Sequence, residues 1–275
     1  MDIKDALEMY CLTHPGMVRA HNEDSVACEA ACGLAVLADG MGGYNAGEVA
    51  SGIAASVVAT EIKHYLQDAR PENKDAESGE EVAVMLLRSN VQKANSSIYH
   101  AAQSQPQYAG MGTTIVSGLF YDNRVAVAHI GDSRMYRLRG DVFESITRDH
   151  SLLQEQIDSG MISKADARVS QNKNLVTRAV GIDAEVETEL HVHDVERGDI
   201  YLLCSDGLND MVEDDDIADA MKTLKSNIPL LAAQLIQAAN DNGGRDNVSV
   251  ILIKVNGDFA AQRGLYAKIS SWFKS

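Results

Sequence analysis

Leu34-Ala35-Val36-Leu37-Ala38 runs directly into Asp39-Gly40-Met41-Gly42-Gly43. Five apolar residues between turn formers have the length and boundaries of a buried strand, so this strand ends on an acid followed by glycines. The pattern recurs. Val125 to Ile130 meets Gly131-Asp132, and Tyr201-Leu202-Leu203-Cys204 meets Ser205-Asp206-Gly207. Gly243-Gly244-Arg245-Asp246 leads into Val248 to Val255. One Asp-Gly is an ordinary turn former. Four acids at the same place relative to apolar runs converge if the strands do. Crowded carboxylates are costly to bury unless cations neutralise them. All four anchors are oxygen donors with no His or Cys interleaved, which suits Mg, Mn or Ca rather than Zn.

Length and charge bound the alternatives. The 275 residues allow one large domain or two small ones. A net charge of -16 argues against a nucleic-acid partner. It would also repel a phosphorylated substrate unless cations and a local arginine reverse the sign at the site. No apolar run is long enough to span a membrane, and Met1 to Tyr10 lacks the basic-then-apolar pattern of a signal peptide. Cys11, Cys28, Cys32 and Cys204 form no redox or metal spacing and read as reduced, packed thiols in a cytoplasmic protein.

With no repeat or linker in view, helices are expected over 47–69, 79–104, Asp214 to Leu224 and Pro229 to Asn240, with strands from Thr113 to Ile146 and a mobile polar loop from Asp68 to Gly79. Ser151 to Ser159 reads as helical and Met161 to Asn174 as irregular. The alternation suggests layered α and β elements of the α+β class.

Eight motifs then occur in a fixed order. They are Arg19-Ala20-His21-Asn22-Glu23-Asp24, Ala38-Asp39-Gly40-Met41-Gly42-Gly43, Gly110-Met111-Gly112-Thr113-Thr114 and Gly131-Asp132-Ser133-Arg134, followed by Thr147-Arg148-Asp149-His150-Ser151, Thr177-Arg178-Ala179-Val180-Gly181, Ser205-Asp206-Gly207-Leu208 and Asp246-Asn247-Val248-Ser249. Together they resemble the metal-dependent serine/threonine protein phosphatases of type 2C, in their bacterial branch, over about residues 10 to 255. The resemblance implies a four-layer αββα sandwich, two antiparallel sheets face to face and flanked by helix pairs. It implies a single catalytic domain over 1–255, with a flap at about 150–178 linked to substrate choice, and leaves an amphipathic tail at 256–275. In that tail Leu265, Ile269, Trp272 and Phe273 fall at helical spacing, for docking on the domain or on a partner.

The implied chemistry is hydrolysis of phosphoserine and phosphothreonine on proteins by a water activated between two Mn2+ or Mg2+ ions, with no covalent phosphoenzyme. By resemblance Asp39 bridges the metals, the Gly40 carbonyl binds the second, and Asp206 and Asp246 hold the first. Glu23 and Asp24 act through metal-bound waters, and Asp132 shares a third metal with Asp206. Arg19 offers a planar fork for phosphate oxygens. Met41 stands where eukaryotic members carry a histidine and cannot protonate the leaving group; metal-bound water or His21 are the alternatives. His150 reads as a holder of local structure, and His191 and His193, on one strand face, as structural. The implied partners are phosphoproteins and a cognate Ser/Thr kinase, with a monomeric enzyme. Two other readings remain: a phosphatase of small phosphomonoesters, and a phosphoprotein-binding relative without activity.

Overall fold

The run Leu34–Met41 is a strand whose side chains divide by parity. Leu34, Val36 and Ala38 enter one apolar cluster, and Ala35 and Leu37 enter another. The sequence shows no alternation there because both faces of the strand are covered. Val248–Val255 behaves the same way: Val248, Val250 and Leu252 point to one cluster, Ile251, Ile253 and Val255 to the other.

The structure is a computed structural model and describes residues 1–43, 46–163, 166 and 175–261. Its elements in chain order are α1 (Ile3–Ala6), β1 (Leu7–His14), β2 (Asp24–Glu29), β3 (Leu34–Met41), α2 (Ala46–Tyr65) and α3 (Val82–Ser104), then β4 (Gly112–Thr113), β5 (Ile115–Tyr121), β6 (Arg124–Ile130), β7 (Arg134–Arg139), β8 (Val142–Ser145) and α4 (Leu152–Asp158). β9 (Glu189–Asp194), β10 (Ile200–Cys204), α5 (Asp206–Asn209), α6 (Asp214–Leu224), α7 (Ile228–Asp241) and β11 (Val248–Val255) complete it.

Two antiparallel sheets result. One has the order β1-β11-β10-β7-β8; the other runs β2-β3-β5-β6-β9, with β4 also paired to β3. Val116, Val127, Leu203 and Ile251 fill the space between them. Helices α2 and α3 cover the outer face of the second sheet through Ala50, Ala54, Leu87 and Val91. Helices α6 and α7 cover the outer face of the first through Ile217, Met221, Leu231 and Leu235. Small residues on α2 let it lie close to β3, and each large side chain so buried contributes about 1.5–3 kcal/mol. The expected αββα layering is therefore the observed one.

The expected helix boundaries shift at their ends. The first stops at Tyr65 and the second starts at Val82, because the segment between has its own turn. There Asp75 accepts from Ser78 N at 2.8 Å, and the backbones of Lys74 and Glu81 pair in an isolated antiparallel bridge, so the polar loop carries hydrogen bonds of its own. Ser151 caps α4, accepting from Gln154 N at 3.2 Å, and Asn227 caps α7 just before Pro229. Residues 164–165 and 167–174 of the expected flap, and 262–275, which hold the apolar positions of the tail, lie outside the described residues.

Candidate active site

The acids at the strand ends meet where the two sheets face each other. Asp39 closes the apolar part of β3 and stands opposite Asp24 in the β2–β3 register. From the other sheet, Asp206 opens α5 straight after β10, and Asp246 precedes β11, the neighbour of β10. Asp39 and Asp206 keep part of their surface open to solvent. Even so, their pKa values lie well above the ordinary carboxylate value. For Asp39 burial is the largest cause, followed by repulsion from Asp24, Asp206, Asp132 and Asp246. For Asp206 burial again leads, then Asp132, Asp210, Asp246 and Asp24. Carboxylates that feel one another this strongly form one cluster, and an oxygen-only cluster open on one side fits hard divalent cations.

The segment before β2 brings a cation to this cluster. Arg19 Nη2 donates to Asp246 Oδ2 at 2.6 Å while half of the arginine side chain stays exposed. Asn247 stitches this segment to β11: its Nδ2 donates to the carbonyls of Pro15 (3.0 Å) and His21 (2.8 Å), and its Oδ1 accepts from Glu23 N at 2.8 Å. The Glu23 carbonyl also accepts from Gly40 N at 3.1 Å and from Ser51 Oγ at 2.5 Å, which ties it to β3 and α2. Its carboxylate pKa is raised, chiefly by burial. Asp24 is 8 % exposed. Its Oδ2 accepts from Ser205 Oγ at 2.8 Å and Ser249 Oγ at 2.6 Å, whereas Oδ1 is buried without a hydrogen-bond partner. Burial, the largest cause, pushes its pKa up to about 6.

Asp132 reaches the cluster from a turn that is clamped from behind. It is 7 % exposed, and burial, followed by Asp149, pushes it up to about 6. Gly131 has φ +104, and a Cβ there would lie 2.6 Å from Thr114 Cγ2; only glycine fits both constraints. His150 holds Gly131 twice, its backbone N donating to the Gly131 carbonyl at 2.9 Å and its Nδ1 accepting from Gly131 N at 3.2 Å. Nδ1 being an acceptor, Nε2 carries the proton and donates to Glu189 Oε2 at 3.0 Å. Burial opposes the charge on Glu189, but the contacts with His191 and His150 outweigh it and hold the carboxyl at about 2. His129 stacks on His150 with centroids 4.9 Å apart.

Three of these groups, His129, His150 and Glu189, lie close enough to contact one ion. Both ring nitrogens of His150, however, are already engaged within the protein. The group therefore acts as a hydrogen-bonded clamp on Gly131. His150 as a holder of local structure agrees with this geometry, but Glu189 and His129 were not singled out from sequence. His191 touches Glu189 Oε1 at 2.7 Å, so it belongs to the same group. Glu189→Ala should remove about 1–2 kcal/mol of stability by stripping a charged acceptor from a buried histidine. The urea midpoint checks this, and an unchanged midpoint would rule out the clamp.

A cleft of about 370 Å³ opens beside Asp132 and Asp206. Its walls include Asp149 and Asp214 and, from α4, Leu153 and Ile157. Arg134, held by Asp149 through two hydrogen bonds of 2.8 and 2.7 Å, forms part of its floor.

The sequence profile that matches residues 18–240 is described as protein phosphatase 2C. The chain belongs to this family. It is a protein serine/threonine phosphatase. It is 36% identical over 247 residues to a serine/threonine phosphatase stp of Listeria innocua, covering 89% of this chain and 94% of that one. It is 40% identical over 240 residues to the serine/threonine protein phosphatase PstP of Mycobacterium tuberculosis, covering 87% of this chain and 43% of that longer one. A solved structure described as the catalytic domain of PstP in complex with two manganese ions superposes with a TM-score of 0.79 at 37% identity. The match covers 91% of this chain and 99% of that one.

Proposed function

We propose that this phosphatase works through two divalent cations, Mn2+ or Mg2+, held by Asp39, the Gly40 carbonyl, Asp206 and Asp246, with Asp132 and Asp206 offering a third position. The observation that carries this reading is the mutual repulsion of Asp39, Asp206, Asp132 and Asp246 at the seam of the two sheets. When bound, the ions supply Lewis acidity and a nucleophilic water near neutral pH. The chain's own residues do the rest. Arg19, aimed at the cluster by Asp246, receives the phosphoryl oxygens in its planar fork. Asn247 fixes the segment that carries Arg19 and Glu23, so the guanidinium keeps its place relative to Asp246. Ser205 and Ser249 orient Asp24, which with Glu23 orders the waters around the cations.

Substrate choice belongs to the cleft beside Asp132, because α4 of the expected flap supplies part of its wall. The acidic lining suits basic residues next to a phosphoserine or phosphothreonine. The enzyme acts as a monomer in the cytoplasm and undoes the work of a Ser/Thr kinase. No described helix is long and apolar enough to cross a membrane, and all four cysteines are free. Residues 1–255 form the catalytic domain in this reading.

Hydrolysis of a phosphothreonine peptide with and without Mn2+ or Mg2+ tests the assignment. Activity should require added metal and vanish with chelator. Arg19→Ala should lose about 1.5–3 kcal/mol of transition-state stabilisation in kcat/KM with metal content unchanged. Full activity in excess chelator would refute the cation chemistry, and loss of metal in Arg19→Ala would refute the phosphate-binding role of Arg19.

A further inference from the structure

His129 presents a bare ring nitrogen inside the protein. The residue is 0 % exposed. Nε2 lies 2.9 Å from the Arg148 carbonyl, which can only accept, so Nε2 carries the proton and Nδ1 the lone pair. Nδ1 is buried without a hydrogen-bond partner. A buried lone pair left unpaired is unfavourable, so a group that takes it up is stabilised there. Histidines that bind a metal through one nitrogen and donate the other N–H to a backbone carbonyl have the same tautomer. Further donors stand beside it: one ligand atom each of His129, His150 and Glu189 lies within 4.8 Å of the other two. His150 is 7 % exposed and stacks on His129. We propose that His129, His150 and Glu189 form a second metal site, for one Zn2+ ion, and that filling it releases half of the clamp on Gly131.

The donor set decides the metal. Two imidazoles and one carboxylate, with water as a fourth ligand, suit Zn2+, whereas the oxygen-only cluster at the seam of the sheets suits Mn2+ or Mg2+. The two sites therefore sort the ions between them. Donors about 2.1 Å from a tetrahedral ion stand roughly 3.4 Å apart, so atoms already within 4.8 Å of one another close on it by small rotations. The way in lies along β9. Glu189 is one-third exposed, and His191, which contacts its Oε1 at 2.7 Å, is nearly half exposed.

An ion and the hydrogen bonds of His150 are alternatives. In the clamp, Nδ1 accepts from Gly131 N at 3.2 Å and Nε2 donates to Glu189 Oε2 at 3.0 Å. To face Zn2+, Nε2 must give its proton to solvent, and the neutral ring takes one up on Nδ1, so the ring's proton count is unchanged. Nδ1–H then meets Gly131 N–H donor to donor, and that bond is lost. The buried N–H of Gly131 is left without its partner, while the backbone bond from His150 N to the Gly131 carbonyl stays. Asp132 follows directly in the chain. On the reading of Asp132 as a cation ligand, zinc at the histidines loosens that ligand without touching it.

The test uses the full chain saturated with Mn2+ and then given Zn2+ up to one equivalent. Equilibrium dialysis with elemental analysis should find one Zn2+ bound per chain and the Mn2+ retained. His129→Gln and Glu189→Gln should each weaken zinc binding by about tenfold or more. Asp39→Asn, which alters the carboxylate cluster alone, should bind zinc as the wild type does, so the outcome does not depend on where the catalytic cations sit. In the wild type, Zn2+ should shift the ring-nitrogen resonances of His129 and His150, and the Gly131 amide should exchange with solvent faster. These spectra decide the matter even where a variant fails to fold. The proposal is overturned if zinc displaces Mn2+ one for one, if Asp39→Asn abolishes its binding, if both glutamine variants bind it unchanged, or if the two rings and the Gly131 amide do not respond.

Discussion

Replacing Asp39 by asparagine should lower turnover of a phosphothreonine peptide by on the order of a hundredfold or more, and should at the same time make the metal-free protein more stable. Both effects have one cause. The Asp39 carboxyl is desolvated on its inner side and repelled by Asp24, Asp206, Asp132 and Asp246. Asparagine keeps the shape, removes the charge, and relieves a repulsion that only bound cations otherwise offset. The pH dependence follows with the same sign. Burial raises Asp39 and Asp206 above 3.8, and takes Asp24 and Asp132 up to about 6. Between the unfolded and the raised values the folded chain binds more protons than the unfolded chain, so metal-free protein should gain stability as pH falls from about 7 to about 5. Mn2+-loaded protein should lose stability over the same range, since protons then compete with the cations. Calorimetry at the two pH values, with Mn2+ or chelator, measures all four cases. A metal-free Asp39→Asn protein that melts below the wild type would show that the carboxylates are not in conflict.

Gly207→Ala should be among the most damaging single-methyl changes in the chain. A Cβ on Gly207 would fall 1.9 Å from the backbone carbonyl oxygen of Asn247. Backbone cannot rotate away as a side chain can, so α5 and the start of β11 would have to separate. That costs about 3 kcal/mol or more, a fall in melting temperature of roughly 10 °C. The same separation pulls Asp206 from Asp246, so metal affinity should fall as well. Gly43→Ala is the control: nothing lies within 4 Å of its Cβ, and the melting temperature should hold. Equal melting temperatures for both variants would mean that the close approach at Gly207 is not required.

How much of the fold and the site was legible in the sequence depends on what each residue faces. The strands β3, β6, β10 and β11 could be read because helices cover one face and the partner sheet the other, which leaves unbroken apolar runs. The acids at their ends were legible for the same reason, since an abrupt change from apolar to Asp-Gly marks a strand end. β1 and β2 were not recognised as strands. Both lie at sheet edges, where Glu8, Thr13 and Glu29 break the apolar pattern. The clamp of His150 and Glu189 was hidden because 39 residues separate its partners and neither lies in an apolar run. Arg19 was legible from its motif, but its 2.6 Å bond to Asp246, 227 positions away, was not.

The order of strands in the first sheet also sets a timetable for synthesis. Every strand of the second sheet lies between Asp24 and Asp194, so that sheet and its covering helices can assemble while the remainder of the chain is still being made. The first sheet cannot. β11 sits between β1 and β10, pairing Leu7 with Val255 and Tyr201 with Ile253. The earliest strand therefore waits, unpaired, for the last. Such a pairing is slow because nearly the whole chain must be drawn into one loop first. Asp246 arrives with β11, so a ribosome-bound chain still short of that point lacks one member of its carboxylate cluster. The carboxylate cluster is thus completed only by the strand that also completes the first sheet.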